Sequence, residues 1–195
     1  GYKFGKKWLI AFGFTVSALG LLIFRQVTTT DFTYMQLLPL LALTGLGNAI
    51  INPMINTAAM DNINPQEIGM ASGLLNVFRQ IGITVGVVIL GLSQTNAYES
   101  SLSTGFSGSS IPKAAATGIH QSLVEAGAFS GHAIAWGQQL VKTPYAAKVQ
   151  QMVVTAFDKG MIAVVTTSLV LMVIAILAAL FLLKETKSVD QKPQK

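Results

Sequence analysis

The sequence predicts an all-α, polytopic membrane protein with four transmembrane helices, and three observations predict it. Hydrophobic residues make up 51% of the chain and charged residues only 11%, where soluble domains carry roughly 25% charged residues. The mean hydropathy is +0.56. Four separate runs also reach the ~20 residues needed to cross a hydrocarbon core ~30 Å thick. The expected partner is therefore the lipid bilayer. The net charge of +5 sits largely on lysines beside the apolar runs and forms no basic face interleaved with aromatics, so nucleic acid is not an expected partner. Cysteine is absent, which excludes disulfides and thiolate metal sites.

The first span runs from Trp8 to about Val27, behind the basic turn Lys3, Gly5, Lys6, Lys7. The second runs from about Tyr34 to Met60 and the third from Ile68 to Leu92, joined by the turn DNINPQE. The fourth covers about Met161 to Leu183 and is followed by Lys184, Lys187, Lys192 and Lys195. Lysines at both ends place both ends in the cytoplasm by the positive-inside rule. An even number of spans agrees. The chain thus divides into 1–92 with three spans, 93–156 as an extracellular or periplasmic segment, and 157–195 with the last span and a cytoplasmic tail. The chain opens on Gly1 without an initiator methionine or signal-peptide cleavage pattern, which reads as a piece of a longer protein.

The external segment is far longer than an ordinary connection, and such segments are usually functional or flexible. Its first part, SSLSTGFSGSS, reads as a Gly/Ser-rich linker. Pro112 to Phe157 is richer in helix formers, interrupted by Gly131, Gly137 and Pro144, which predicts two or three short helices or a hairpin over the external mouth. The run AGAFSGHAIAWG also permits a re-entrant or interfacial segment, being too short to span.

Polar residues inside the spans direct attention to function. In the second span Thr44, Asn48, Asn52 and Asn56 recur every four residues and share one slowly drifting helix face. Gly45, Gly47 and Pro53 lie among them, and irregular backbone at membrane depth needs protein or a water-filled cavity beside it. The third span repeats the spacing with Ser72, Asn76 and Gln80, with Arg79 beside the last. A cation inside a lipid-spanning helix costs at least ~2.5 kcal/mol, so it turns toward protein, water or headgroups. Two readings stay open for the amides: lining of a polar pathway, or hydrogen bonding that only joins helices. For Arg79 they are a gate or interhelical network, and a side chain snorkelling to the headgroups. Met54 reads as an adaptable apolar contact.

Gly69 with Gly73, and Gly82 with Gly86, are small-xxx-small pairs that predict close helix packing. Asp61 and Glu67 read as a solvated turn, with Asn64-Pro65 as a helix boundary. His120 and His132 lack ligand-spaced carboxylates, so no metal is expected. No nucleophile, base and acid grouping and no phosphate loop is present, and no enzyme is expected.

The turn Tyr2-Lys3-Phe4-Gly5-Lys6-Lys7 resembles the end of the D-R-x-G-R-R signature of the major facilitator superfamily, with Tyr2 where Asp is usual. Gly69 to Gly91, GMASGLLNVFRQIGITVGVVILG, resembles the penultimate helix of the fourteen-helix drug:proton antiporters of the EmrB/QacA type. The resemblance implies that this chain is the C-terminal portion of a multidrug efflux transporter of the inner or plasma membrane. It implies alternating access, no bound cofactor, a proton gradient for coupling, and amphipathic, often cationic, small molecules as substrates. Partners would include the missing N-terminal helices of the same transporter. Thr44, Asn48, Asn52 and Asn56 would then face the substrate cavity, because the second span opens the final helix triplet. A metabolite or siderophore exporter, and a nontransporting membrane scaffold, are the alternatives.

Overall fold

A computed structural model describes residues 5–27, 34–61 and 63–183, and six helices lie among them. These are α1 (Lys6–Val27), α2 (Tyr34–Met60), α3 (Ile68–Ser107), α4 (Lys113–Ala135), α5 (Gln138–Val141) and α6 (Ala146–Leu182). No strand occurs among the described residues. Lys3, the short connection after Val27 and the C-terminal lysines lie outside them. Helices α1, α2, α3 and α6 are each long and apolar enough to cross a membrane, so the all-α, four-span reading holds.

The chain forms two compact units. The first comprises Leu38–Gly82 with the described parts of Gly1–Ile23 and Leu169–Lys195. Within it, α1 and α2 approach closely through small residues. A Cβ placed at Gly47 would stand 2.0 Å from Ser17 Oγ and 2.5 Å from the Gly13 carbonyl oxygen, and one at Gly13 would stand 2.7 Å from Ile51 Cγ1. Gly20 meets Leu43 in the same way at 3.0 Å. The packing expected of Gly69, Gly73, Gly82 and Gly86 is not found: a Cβ at any of them meets nothing within 4 Å among the described residues. A small-xxx-small pair permits close approach but does not choose the neighbour, and here α1 and α2 make that contact.

The second unit comprises Phe24–Leu37 and Ile83–Ser168. Its centre is an apolar cluster of Tyr98, Leu102 and Phe106 on α3, Leu123, Ala128 and Ala135 on α4, and Val149, Val153 and Ala156 on α6, with Ile111 and Leu140. The Gly/Ser-rich linker expected at 100–110 is therefore mostly helix, and α3 continues to Ser107. Composition misled there because spacing decides. Gln94, Tyr98, Leu102 and Phe106 recur every four residues and are all buried, while the outward hydroxyls bond back to their own helix, Thr104 Oγ1 to the Ser100 carbonyl and Ser107 Oγ to the Ser103 carbonyl. Burying a side chain such as Leu102 contributes roughly 1.5–3 kcal/mol, enough to hold a serine-rich turn in the helix.

By the same logic α6 begins at Ala146, well before the apolar span expected from Met161, because Val149, Val153 and Ala156 are buried on the shared core. Ser93 Oγ and Thr167 Oγ1 are hydrogen-bonded at 2.8 Å, and Gly160 seats the side chain of Gln94. The run AGAFSGHAIAWG is mostly the second half of α4, with Ala128, Gly131 and Ala135 buried. Gly131 is needed there, since a Cβ would come within 2.2 Å of Tyr98 Oη. Gln150 Nε2 donates to the Ala135 carbonyl at 3.2 Å and so caps the end of α4.

Candidate functional site

The polar stripe on α2 does not act as one surface, and helix geometry gives the reason. Four residues turn a helix by about 400°, so each step of the stripe drifts by about 40°. Thr44 sits toward α1: its methyl group is 3.4 Å from where a Cβ at Gly20 would lie, and its hydroxyl donates to the Leu40 carbonyl at 2.6 Å. Asn48 and Asn52 form a connected pair on an exposed face, Asn52 Nδ2 donating to Asn48 Oδ1 at 2.6 Å and to the Asn48 carbonyl at 3.2 Å. Pro53 follows without an N–H to donate. Asn56, one turn further on, has drifted round to α3.

There Arg79 Nη2 donates to Asn56 Oδ1 at 3.0 Å. This bond joins the two stripes predicted on neighbouring spans. Beside it lies an open cavity of about 540 Å³ lined by Asn56 and Met60 from α2 and by Ser72, Gly73, Leu75, Asn76 and Arg79 from α3. Amides and a hydroxyl provide donors and acceptors, and among the described residues Arg79 is the one charged group in that lining. A hydrogen bond to a charged group typically contributes ~1.5–3 kcal/mol, less where water reaches it. Gln80 continues the α3 stripe and has an interaction of its own. Met54 is half-buried and two residues from both Asn52 and Asn56, hence about 200° round the helix from each. Met60 is the methionine at the cavity.

The basic turn is tied to the far end of α2. Gly5 immediately precedes α1, its carbonyl accepting from the Trp8 N–H at 3.0 Å. Lys6 Nζ forms an ion pair with Asp61 Oδ1, which corrects the expectation of a merely solvated acid at Asp61. Lys7 Nζ lies 6.0 Å from the Trp8 ring centroid. No linear motif announces a pair separated by 55 positions; the signal is a lysine at the start of one helix and an acid just after its antiparallel neighbour. His120 shares a hydrogen bond with Ser103 at 3.1 Å, and His132 packs among aromatic rings. Among the described residues no three His, Asp or Glu are grouped to hold a metal.

Residues 1–97 match the family described as the Major Facilitator Superfamily. The chain belongs to the Major Facilitator Superfamily. Its matched part holds α1, α2, the basic turn, both polar stripes and the Asn56–Arg79 bond. The superfamily relatives include a probable actinorhodin transporter of Streptomyces coelicolor, 41% identical over 47% of this chain and 16% of the relative. The multidrug transporter protein MdtP of Bacillus subtilis is 33% identical over 46% of this chain and 16% of its own length. Multidrug resistance protein 3 of the same species is 29% identical over 46% and 17%. The aligned part thus spans about a sixth of each relative. No solved structure matches.

Proposed function

We propose that this chain is the C-terminal portion of a fourteen-helix, proton-coupled exporter of amphipathic small molecules in the cell membrane, working by alternating access. The observation that carries the site is the Asn56–Arg79 bond beside an open polar cavity on two apolar helices. Amides and a guanidinium are costly against lipid, and a cavity that accepts a polar compound keeps them solvated. Asn48 and Asn52 form a separate amide pair on an exposed face of α2, where a substrate's donors and acceptors would exchange with their own mutual bond. Two of the relatives are named as multidrug proteins, which supports a broad substrate range. Their names concern proteins about six times as long as the aligned part.

The cavity also bears on substrate charge. Among the described residues its single charged lining residue is Arg79, so an acid that attracts cationic compounds, and the acid that carries the coupling proton, would belong to other parts of the transporter. Alternating access requires a second bundle to move against this one. A relative named for one compound, actinorhodin, favours a second reading, a dedicated exporter of a single metabolite.

Replacing Asn48 and Asn52 together with leucine in the complete transporter tests whether the amide face of α2 belongs to the substrate path. Dye efflux from vesicles under an imposed pH gradient should fall at least about tenfold, the equivalent of about 1.4 kcal/mol of binding, with the protein amount unchanged. Unchanged efflux at normal expression would make the amides helix-joining groups and favour a scaffold role. Loss of drug efflux alone, with export of one metabolite retained, would favour the dedicated exporter.

A further inference from the structure

Arg79 stands well inside its span with a neutral partner. It lies eleven residues after Ile68, the first residue of α3, which is about 16 Å along the axis and about half the thickness of a hydrocarbon core. Asn56 Oδ1 accepts one hydrogen bond from Nη2, and an amide orients a guanidinium without cancelling its charge. The acids nearest in sequence do not cancel it either. Asp61 is paired with Lys6, and Glu67 lies twelve residues before Arg79, about 18 Å along the helix. Neither lines the cavity. A guanidinium presents five N–H donors in a planar fork, and the bond to Asn56 uses one of them.

The space beside Arg79 is larger than a side-chain carboxylate needs. Its volume of about 540 Å³ falls within the range of small-molecule pockets, about 300–1,000 Å³. Ser72, Asn76 and Arg79 follow one another at intervals of four and three residues, so one face of α3 presents a hydroxyl, an amide and a cation in line. Gly73 beside them adds no side chain, and a Cβ there would meet nothing within 4 Å among the described residues. Met60 from α2 and Leu75 from α3, both half-buried, form the apolar part of the lining. A cation with neutral donors beside two apolar side chains matches a molecule that has an acidic group and an apolar body.

We propose that this cavity binds an amphipathic acid, with its carboxylate on Arg79 and its apolar body against Met60 and Leu75. A carboxylate fits the planar fork through paired hydrogen bonds, and it supplies the negative charge that Asn56 lacks. At membrane depth that charge matters most, because a cation there is costly unless protein, water or a counter-ion receives it. Ser72 and Asn76 add neutral donors in the same lining. This substrate class rests on the export reading above and is opposite in charge to the cationic compounds that the sequence resemblance implies.

Three compounds with one fluorophore and different charges test it: dansylglycine with a carboxylate, dansylglycinamide without charge, and dansylcadaverine with an ammonium group. Binding to the purified complete transporter, at neutral pH and without a gradient, is followed by dansyl emission. Dansylglycine should bind at least about tenfold more tightly than either of the others, as expected of hydrogen bonds to a charged group. Arg79→Gln should remove that preference and leave the affinity for dansylglycinamide within about twofold, while Arg79→Lys, which keeps the charge, should retain part of the preference. Equal affinity for the acid and the amide in the native transporter overturns the proposal, and means that an acid elsewhere in the transporter already neutralises Arg79. Equal weakening of all three compounds by Arg79→Gln overturns it in favour of a helix-joining role. If Arg79→Gln does not accumulate, the native comparison and Arg79→Lys decide the matter. Uptake into inside-out vesicles under a pH gradient separates this proposal from the export reading. Arg79-dependent binding of dansylglycine without its uptake upholds the site and overturns proton-coupled export. Uptake of all three compounds whether or not Arg79 is present upholds export and overturns the site.

Discussion

A side chain at Gly47 has no place to go. The Cβ alone would stand 2.0 Å from Ser17 Oγ and 2.5 Å from a backbone oxygen of α1, and backbone cannot rotate away as a long side chain can. Gly47→Val should therefore separate α1 from α2 and destabilise the bundle by about 1–3 kcal/mol, the usual cost of overpacking. Gly45, two residues away, faces open space, so Gly45→Ala should leave stability unchanged or slightly raised because alanine favours helix. Thermal unfolding in detergent followed by circular dichroism compares the two; equal midpoints would show that the close approach is not a structural requirement. At this scale the sequence was legible in part. Asn48, Asn52 and Asn56 stood out because amides every four residues form a one-dimensional pattern. The Asn56–Arg79 bond, the Lys6–Asp61 pair and the contact at Gly47 depend on which helices are neighbours, which no spacing along one helix encodes.

Among elements, the apolar spans were legible and their extensions were not. Ile68 to Leu92 reads as a helix from hydropathy alone, whereas its continuation to Ser107 rests on three widely spaced apolar residues within a serine-rich run. Only a partner surface makes such a stripe favourable, and α4 and α6 provide it. The kink in α4 is a second tertiary feature, since Gly127 is one of several glycines there but alone takes a positive φ. That backbone region is nearly closed to other residues and costs ~1–3 kcal/mol when forced. No atom lies within 4 Å of a Cβ at Gly127, so Gly127→Ala tests backbone conformation without a clash. It should lower stability by about 1–3 kcal/mol or straighten α4, drawing Phe129 and His132 away from Phe157. Unfolding midpoints and Trp136 emission in the Trp8→Phe background, where Trp136 is the one tryptophan left, report these outcomes; no change in either would mean that α4 does not need the kink.

For the whole molecule, the length of α3 sets the arrangement relative to the membrane. Its 40 residues extend about 60 Å, roughly twice the hydrocarbon thickness, so a large part must project from the bilayer. The part that carries a soluble-type core is the C-terminal one, with Tyr98, Leu102 and Phe106 buried beside α4 and α6. The family match ends at residue 97, close to where that projecting part begins. Lysines near the ends of the sequence favour a cytoplasmic side for the α2–α3 turn and the opposite side for the segment after α3. The absence of cysteine makes this directly testable, because a single introduced thiol is the only one in the chain. Glu67→Cys, in the turn before α3, should react with a membrane-impermeant maleimide only in inside-out vesicles. Ser109→Cys, just beyond α3, should react only in right-side-out vesicles or intact cells. Both positions are exposed or half-exposed and lie outside the helices, so poor reactivity in detergent is not expected and serves as the control. Labelling of both thiols from the same side would mean that α3 does not cross the membrane, and exchange of the two sides would reverse the topology while leaving the four spans in place.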